Sequence, residues 1–207
     1  MWTYRTSTVV LGCSQRALRA SVQQRLAGRG VVLQRESGGG AVLTGPWLVS
    51  ASVVVPHDHA WVRGGVVESY RQFAELHVAA LAELGVIAQP ALPHDVARAN
   101  EAGATVPWAC FGSLSPWEVV NDQGRKLVGL AQRRRRAAVL LVAGTLVGKA
   151  DWPLLCEATG HPEDEALLSR RTVSCNEMAS RPIATERFAS VLAQRLERAL
   201  SRAIGAT

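Results

Sequence analysis

Gly124-Arg125-Lys126-Leu127-Val128-Gly129-Leu130-Ala131-Gln132-Arg133-Arg134 begins at the end of a predicted tight turn and continues as a largely apolar strand. The strand would carry Lys126, whose ammonium is a compact positive charge. A second unusual stretch, Arg35-Glu36-Ser37-Gly38-Gly39-Gly40-Ala41-Val42, follows an apolar run much earlier in the chain. Three consecutive glycines allow bare backbone to lie against a ligand. Together the two stretches indicate a site at which a carboxylate is activated or transferred.

The sequence around these stretches predicts an α+β domain with a mixed or antiparallel sheet covered by helices. Short apolar and β-branched runs between turn residues predict strands, and apolar residues at the helical period predict helices. The clearest helix, 66–84, is expected to end with Gly85 as its cap, and 90–107 is expected to be a long loop. The predicted strands are 8–11, 31–34, 41–43, 47–55, 86–88, 117–120, 126–133 and 137–147, and the predicted helices are 15–27, 66–84 and 184–203, with shorter helical segments at 94–99, 152–158 and 162–169.

The composition is that of a single globular domain spanning residues 1–207, with 48% apolar and 19% charged residues. No apolar run reaches the ~20 residues of a membrane helix, so we expect a cytoplasmic protein without a membrane partner. The four cysteines, at 13, 110, 156 and 175, have no metal-ligand or redox spacing, and no metal site is predicted. The net charge is +6, yet only Lys126 and Lys149 of the 23 basic residues are lysines.

Both stretches resemble the lipoate-protein ligase family, which shares its catalytic domain with biotin-protein ligases and octanoyltransferases. The resemblance implies the biotin/lipoate ligase-like fold and assigns Lys126 as the catalytic lysine, which would stabilise the charge that develops during acyl transfer. Gln132 would orient neighbouring groups. The residues that the resemblance assigns to substrate or adenylate binding are Arg35, Ser37, Gly38, Gly39, Gly40, Ala41, Gly129, Gln132, Gly144 and Thr145.

A third segment, Ala109-Cys110-Phe111 followed by Ser115-Pro116-Trp117, resembles the octanoyltransferases of the same superfamily. In those enzymes a cysteine before the lysine strand carries the acyl group as a thioester, and a neighbouring lysine favours its thiolate. The alternative is that Cys110 is a small apolar packing residue. Three departures stand beside the resemblance. Ala143 replaces the usual histidine, and Trp47 is expected to narrow or reshape the pocket. The usual N-terminal helix–strand segment and C-terminal accessory domain are expected to be missing.

Three functions therefore stay open at the level of the sequence. The first is a lipoate-protein ligase that uses ATP and Mg2+ to activate lipoate or octanoate as an acyl-adenylate. The second is an ATP-independent octanoyl- or lipoyltransferase that uses Cys110, and the third is a non-catalytic ligand- or carrier-binding paralogue. The implied partners are a lipoyl domain of a dehydrogenase complex or of the glycine cleavage system, octanoyl-acyl carrier protein, and a separate accessory-domain chain. Because the arginines of 133–136 would alternate between two faces of a strand, we predict no nucleic-acid partner.

Overall fold

The computed structural model describes the backbone of residues 1–204 and the side chains of residues 1–201. Within that part, the chain forms two sheets and a set of surrounding helices. The strands are β1 (Thr8–Leu11), β2 (Val31–Gln34), β3 (Val42–Thr44), β4 (Leu48–Val55), β5 (Gln89–Pro90), β6 (Val119–Val120), β7 (Lys126–Arg134) and β8 (Val139–Leu146). The α-helices are α1 (Arg19–Leu26), α2 (Gly65–Glu68), α3 (Arg71–Glu83), α4 (Pro93–Glu101), α5 (Trp152–Thr159), α6 (Glu165–Arg171), α7 (Cys175–Met178) and α8 (Thr185–Ile204).

The larger sheet has five antiparallel strands in the order β4-β8-β7-β6-β5. Its centre is β8, which pairs with β4 from Leu48↔Leu146 to Val55↔Val139 and with β7 on its other side. Alternate residues of β4 and β8 are buried, as expected for strands with one face toward a core. This sheet fixes the position of β7 and of Lys126 at its first residue.

The smaller sheet has the order β2-β1-β3 and is mixed. Strand β1 pairs in parallel with β2 after the crossover through α1, and antiparallel with β3. The α+β class with a mixed and an antiparallel sheet, as predicted, is therefore confirmed. Strand β2 is followed directly by Arg35 and the glycine loop, which therefore lie at the end of this sheet, beside the larger sheet.

Several predicted elements have different bounds in the structure. The strand predicted at 86–88 is wrong, since this segment has no regular structure and follows the cap of α3: Gly85 has φ +76°, and the amide of Val86 donates to the carbonyl of Leu81 over 2.9 Å. The helix predicted at 66–84 is divided into α2 and α3 at Ser69–Tyr70, and the one at 15–27 begins as a 3-10 helix, Cys13–Leu18. The loop predicted at 90–107 contains the nine-residue α4.

A continuous hydrophobic core fills the space between the sheets and helices. It includes Phe73 of α3, Phe188 of α8 and Trp152 of α5, each almost fully buried. Among the described residues, no helix combines the length and apolarity needed to cross a membrane.

Candidate active site

The glycine loop is held by the guanidinium of Arg35. Nη2 of Arg35 donates to the carbonyls of Gly38 over 3.0 Å and Gly40 over 2.7 Å, and Nη1 donates to the carbonyl of Val10 over 3.3 Å. Gly39 has φ +93°, a conformation that glycine adopts without strain. Arg35 thus shapes the loop from within, and its donors are directed at the backbone.

The same loop is joined to the segment that carries Cys110. The amide of Ala41 donates to the carbonyl of Trp108 over 2.7 Å, and the amide of Cys110 donates to the carbonyl of Ala41 over 2.8 Å. At Gly40 the two backbones are so close that a Cβ would lie 2.4 Å from the carbonyl oxygen of Trp108. The first and third sequence motifs therefore form one unit in the fold.

Lys126 lies beneath this unit, and its side chain is only 2% exposed. The turn before it is fixed by Asn121, whose Oδ1 accepts the amides of Gln123 and Arg125. The ammonium of Lys126 donates to the carbonyls of Cys110 over 2.7 Å and Ser113 over 3.1 Å. The sequence predicted a lysine after a tight turn. The structure adds that its ammonium binds the backbone of the segment around Cys110, residues 108–113, which we call the cysteine loop.

The third partner of the Lys126 ammonium is Glu118, a residue that sequence reasoning missed. Oε2 of Glu118 lies 2.6 Å from Nζ of Lys126, and the Glu118 side chain is also only 2% exposed. Burial raises the pKa of Glu118, and the charge of Lys126 and hydrogen bonds from it and from the backbone oppose that rise. The available sequence signal was that Glu118 is the only acidic residue between Glu101 and Asp122.

Cys110 opens into a pocket between the glycine loop and the larger sheet. The empty space of the pocket, including the open solvent at its mouth, measures about 470 Å³. Most of the lining is apolar, with Arg35, Ser37, Thr44 and Ser50 as polar members. The apolar part of the lining is Val42, Leu48, Cys110, Phe111, Gly129, Leu130, Ala131, Val142, Ala143 and Gly144.

Tyr70, at the start of α3, is a second residue that the motifs did not indicate. Burial raises the pKa of its phenol, hydrogen bonding to Gln132 opposes the rise, and the charges of Glu118 and Cys110 add to it. The phenol therefore stays protonated. No local pattern in the sequence marks Tyr70, because its approach to Cys110 depends on how α3 packs.

Residues 1–197 match the model of the lipoyl protein ligase A/B catalytic domain. The chain belongs to this family of lipoyl and octanoyl attachment enzymes. The sequence-based identification of the family, and of the chain as an enzyme, is confirmed.

Two relatives within the lipoyl ligase family are octanoyltransferases named LipM. The LipM of Kyrpidia tusciae is 33% identical over 199 residues, which cover 93% of this chain and 72% of the relative. The LipM of Brevibacillus brevis is 27% identical over 194 residues, covering 89% of this chain and 68% of the relative. The family relationship thus extends along almost the whole of this chain.

Solved structures of lipoate-protein ligases share the fold. A ligase from Thermoplasma acidophilum with bound lipoic acid superposes with a TM-score of 0.67 at 19% identity, covering 95% of this chain and 69% of that one. Lipoate-protein ligase A bound with ATP gives a TM-score of 0.66 at 20% identity, covering 95% and 70%. These likenesses confirm the lipoate ligase-like fold predicted from the sequence.

The residues that the lipoyl ligase family resemblance assigned fall into two groups. Five of them line the pocket: Arg35, Ser37, Cys110, Gly129 and Gly144. The others do not line the pocket. The glycine loop is built by Gly38, Gly39, Gly40 and Ala41, and Lys126 supports it. Gln132 donates to the carbonyl of Val66 and the hydroxyl of Ser69, and Thr145 is fully buried with no hydrogen-bond partner for its hydroxyl in the described structure.

Two departures from the family pattern have clear structural positions. Ala143 lies in the pocket wall, where it adds apolar surface in place of an imidazole. Trp47 packs over Gly45 and Gly148 and is not among the residues that line the pocket, so it does not narrow the pocket directly. The chain turns here, where the amide of Leu48 donates to the carbonyl of Gly45, and Leu48 lines the pocket instead of Trp47.

Proposed function

We propose that this chain transfers a medium-chain acyl group, octanoyl or lipoyl, from a thioester donor to Cys110 and then to a lysine of an acceptor lipoyl domain. The observation that carries the proposal is the position of Cys110 at the wall of a mostly apolar pocket, where a thioester would be next to its acyl chain. The octanoyltransferase relatives support the same reaction. Of the three functions left open by the sequence, this is the second.

The chemistry needs two balanced substitutions at the acyl carbon. In the first, the Cys110 thiolate forms a new C–S bond to the acyl carbon, the donor's C–S bond breaks, and the donor thiol leaves with a proton. In the second, the acceptor amine forms a C–N bond to the acyl carbon, the C–S bond to Cys110 breaks, and Cys110 leaves as the thiolate while the amine releases one proton to solvent. No step consumes ATP, because the energy of the donor thioester is conserved in the acyl-enzyme.

The pocket residues fit an acyl-adenylate less well. The guanidinium of Arg35 donates to three backbone carbonyls, and the ammonium of Lys126 is neutralised by Glu118, so neither presents a free cation to a phosphate. In the described part of the chain, His161, Glu163 and Asp164 form the grouping with spacing suited to a metal ion, and none of them lines the pocket. These positions favour the transferase over a ligase that uses ATP and Mg2+.

A basic groove beside the pocket supports an anionic acyl donor. It is lined by Cys13, Arg16, Arg19, Gln34, Arg35, Glu36 and Arg133. Arg16 and Arg19 are exposed and have no ion-pair partner within the described residues, whereas Glu36 is paired with Arg133 and Arg135. Because Arg35 lines both the groove and the pocket, a phosphate-bearing arm from an acidic carrier protein, as in octanoyl-acyl carrier protein, would lead its thioester toward Cys110.

The test is the intact mass of an apo lipoyl domain after incubation with this protein. One reaction contains octanoyl-acyl carrier protein without ATP, and the other contains ATP, Mg2+ and free octanoate or lipoate. We expect acylation in the first reaction, and an octanoyl-enzyme on Cys110 when the lipoyl domain is left out. Acylation in the second reaction alone would make the protein a ligase, and acylation in neither would favour the non-catalytic alternative.

Two cysteine variants serve as a matched pair in this assay. Cys110→Ser should abolish transfer, because an alkoxide is a far poorer leaving group than a thiolate in the second substitution. Cys156→Ala changes a buried cysteine that lines neither the pocket nor the groove and should transfer octanoyl at the wild-type rate. Full activity of Cys110→Ser would remove the thioester route.

A further inference from the structure

Glu118 has more partners than an incidental core residue. Besides the ion pair with Lys126, its Oε2 accepts the amide of Ser115 over 2.8 Å and its Oε1 accepts the amide of Leu130 over 3.1 Å. A carboxylate is stable in an almost fully buried position only with such a complete set of partners. The carboxylate thus links the cysteine loop, the lysine and the neighbouring strand.

The backbone around Glu118 is distorted in the way needed to place the carboxylate there. Trp117 has φ +69°, a left-handed conformation that bulky residues rarely adopt. The pairing between β6 and β7 is also irregular at Val119 and Val120. Strained backbone and bulges often lie at functional sites, since they direct a particular side chain. Here both features flank the one buried acid beneath Cys110.

The Lys126 ammonium is fully used by these contacts. Its three hydrogens are directed at Glu118, at the carbonyl of Cys110 and at the carbonyl of Ser113. A lysine side chain is flexible and has no preferred direction of its own, so its acceptors decide where its charge lies. Without Glu118, the ammonium would be uncompensated and would keep only its two carbonyl acceptors.

We propose that Glu118 is a positioning residue that acts through Lys126. It fixes the Lys126 ammonium on the carbonyl of Cys110, and this contact holds the cysteine loop. It also compensates the positive charge that Lys126 would otherwise exert on the Cys110 thiol. Glu118 touches no substrate in this role. The proposal rests on the proposed function for its effect on transfer, while its effect on the thiol is independent of the reaction.

Two other titratable or charged groups bear on Cys110. Arg35 lines the same pocket, and Tyr70, at the start of α3, has a phenol whose pKa is influenced by Cys110. Tyr70 is neutral at the pH values of interest because burial raises its pKa, and Arg35 keeps a constant charge. A change in the titration of Cys110 on substitution of Glu118 would therefore report on the Glu118–Lys126 pair.

The experiment measures the rate of alkylation of Cys110 by iodoacetamide against pH, in a Cys13→Ser background. Cys156 and Cys175 do not interfere, because burial raises the pKa of both thiols to about 12. In Glu118→Gln the uncompensated ammonium stabilises the thiolate, and we expect the midpoint of the alkylation profile to fall by about one pH unit. In Glu118→Asp the charge remains, and the midpoint should stay close to that of the wild type.

Octanoyl transfer by the same variants tests the second half of the proposal. We expect kcat to fall about tenfold or more in both variants while the KM for the octanoyl donor is unchanged, because the loop is displaced and the pocket is not. An unchanged midpoint in Glu118→Gln together with wild-type kcat would overturn the proposal. If the wild type transfers no octanoyl group, the proposed function fails, but the alkylation profile still decides the role of Glu118.

A buried ammonium without its carboxylate is strongly destabilising, so Glu118→Gln could fail to fold. In that case the comparison is between the parent protein and the double variant Glu118→Gln/Lys126→Met, in which both buried charges are absent and neither is left unpaired. Under the proposal the pair is neutral as a whole, so the alkylation midpoint of the double variant stays close to that of the parent, while kcat falls about tenfold or more because the loop loses its support. A midpoint shifted by about one pH unit, or a wild-type kcat, would overturn the proposal.

Discussion

Replacing Gly40 by alanine should disturb the junction between the glycine loop and the cysteine loop more than the same replacement at Gly38 or Gly39. A Cβ at Gly40 would lie 2.4 Å from the carbonyl oxygen of Trp108 and 2.7 Å from the carbonyl carbon of Ala109, whereas ordinary contact begins at 3.4 Å. The obstacle is backbone, which cannot rotate away as a side chain would. The loop and the Cys110 segment must therefore separate by about 1 Å.

Two magnitudes follow from this displacement. Overpacking of a close contact typically lowers the free energy of unfolding by about 1–3 kcal/mol. A shift of about 1 Å at the nucleophile typically lowers the rate of reaction about 100-fold. Because the amide of Cys110 is bonded to the carbonyl of Ala41, the residue after Gly40, the displacement reaches Cys110 directly.

Gly38→Ala is the matched control in the same triplet. Its Cβ would have no neighbour within 4 Å, and Gly38 does not have a positive φ. We expect a free energy of unfolding within about 0.5 kcal/mol of the wild type and unchanged transfer. Urea unfolding followed by tryptophan fluorescence gives the first quantity, and the rate of octanoyl-Cys110 formation by rapid quench and intact mass gives the second. Equal stabilities and equal rates for the two variants would refute the close approach at Gly40.

The remaining predictions concern stability, chain length and the donor. Burial lowers the pKa of His77 from 6.5 to about 4, so its contribution to stability is complete above pH 6.5 and is lost as the pH falls toward 4. About 3 kcal/mol of the free energy of unfolding should disappear over this window. Urea unfolding of His77→Leu should show a free energy of unfolding that depends less on pH than that of the wild type. Gly144→Ala adds a methyl group 3.7 Å from Leu48 and 3.9 Å from the ring of Phe111, which both line the pocket. The ratio of kcat/KM for octanoyl to that for hexanoyl donors should therefore fall about tenfold, and an unchanged ratio would place the acyl chain elsewhere. The double variant Arg16→Glu/Arg19→Glu should raise the KM for octanoyl-acyl carrier protein about tenfold with kcat unchanged. The KM for a small uncharged octanoyl thioester should not rise. A KM for octanoyl-acyl carrier protein equal to that of the wild type would show that the groove is not the docking surface.

Tertiary structure changed the roles of the two basic residues that stood out in the sequence. Arg35 and Lys126 both belong to types that bind phosphate, and an isolated motif gives no other indication. In the fold their donors are used by backbone carbonyls and by Glu118. Both residues therefore hold the glycine loop and the segment of Cys110, and this is the physical reason why the proposed reaction is assigned to Cys110.

The sequence by itself determined the elements with strong local signals. Strands β1 and β2 have their predicted bounds, β4 and β7 differ from theirs by one residue, and the final helix was expected one residue early, because alternating or helical spacing of apolar residues is visible in any short window. The wrong strand at 86–88 shows the limit of such windows, since a cap formed around Gly85 uses the same apolar residues.

Only the tertiary structure decided how the motifs meet. Ala41 and Cys110 are far apart in the chain and hydrogen-bonded in the fold, and Glu118 reaches Lys126 through a strained turn that no propensity predicts. Buried ion pairs and backbone contacts depend on partners distant in sequence, so local patterns contain no information about them. The residue types of the site were legible in the sequence, and their charges and contacts were set by packing.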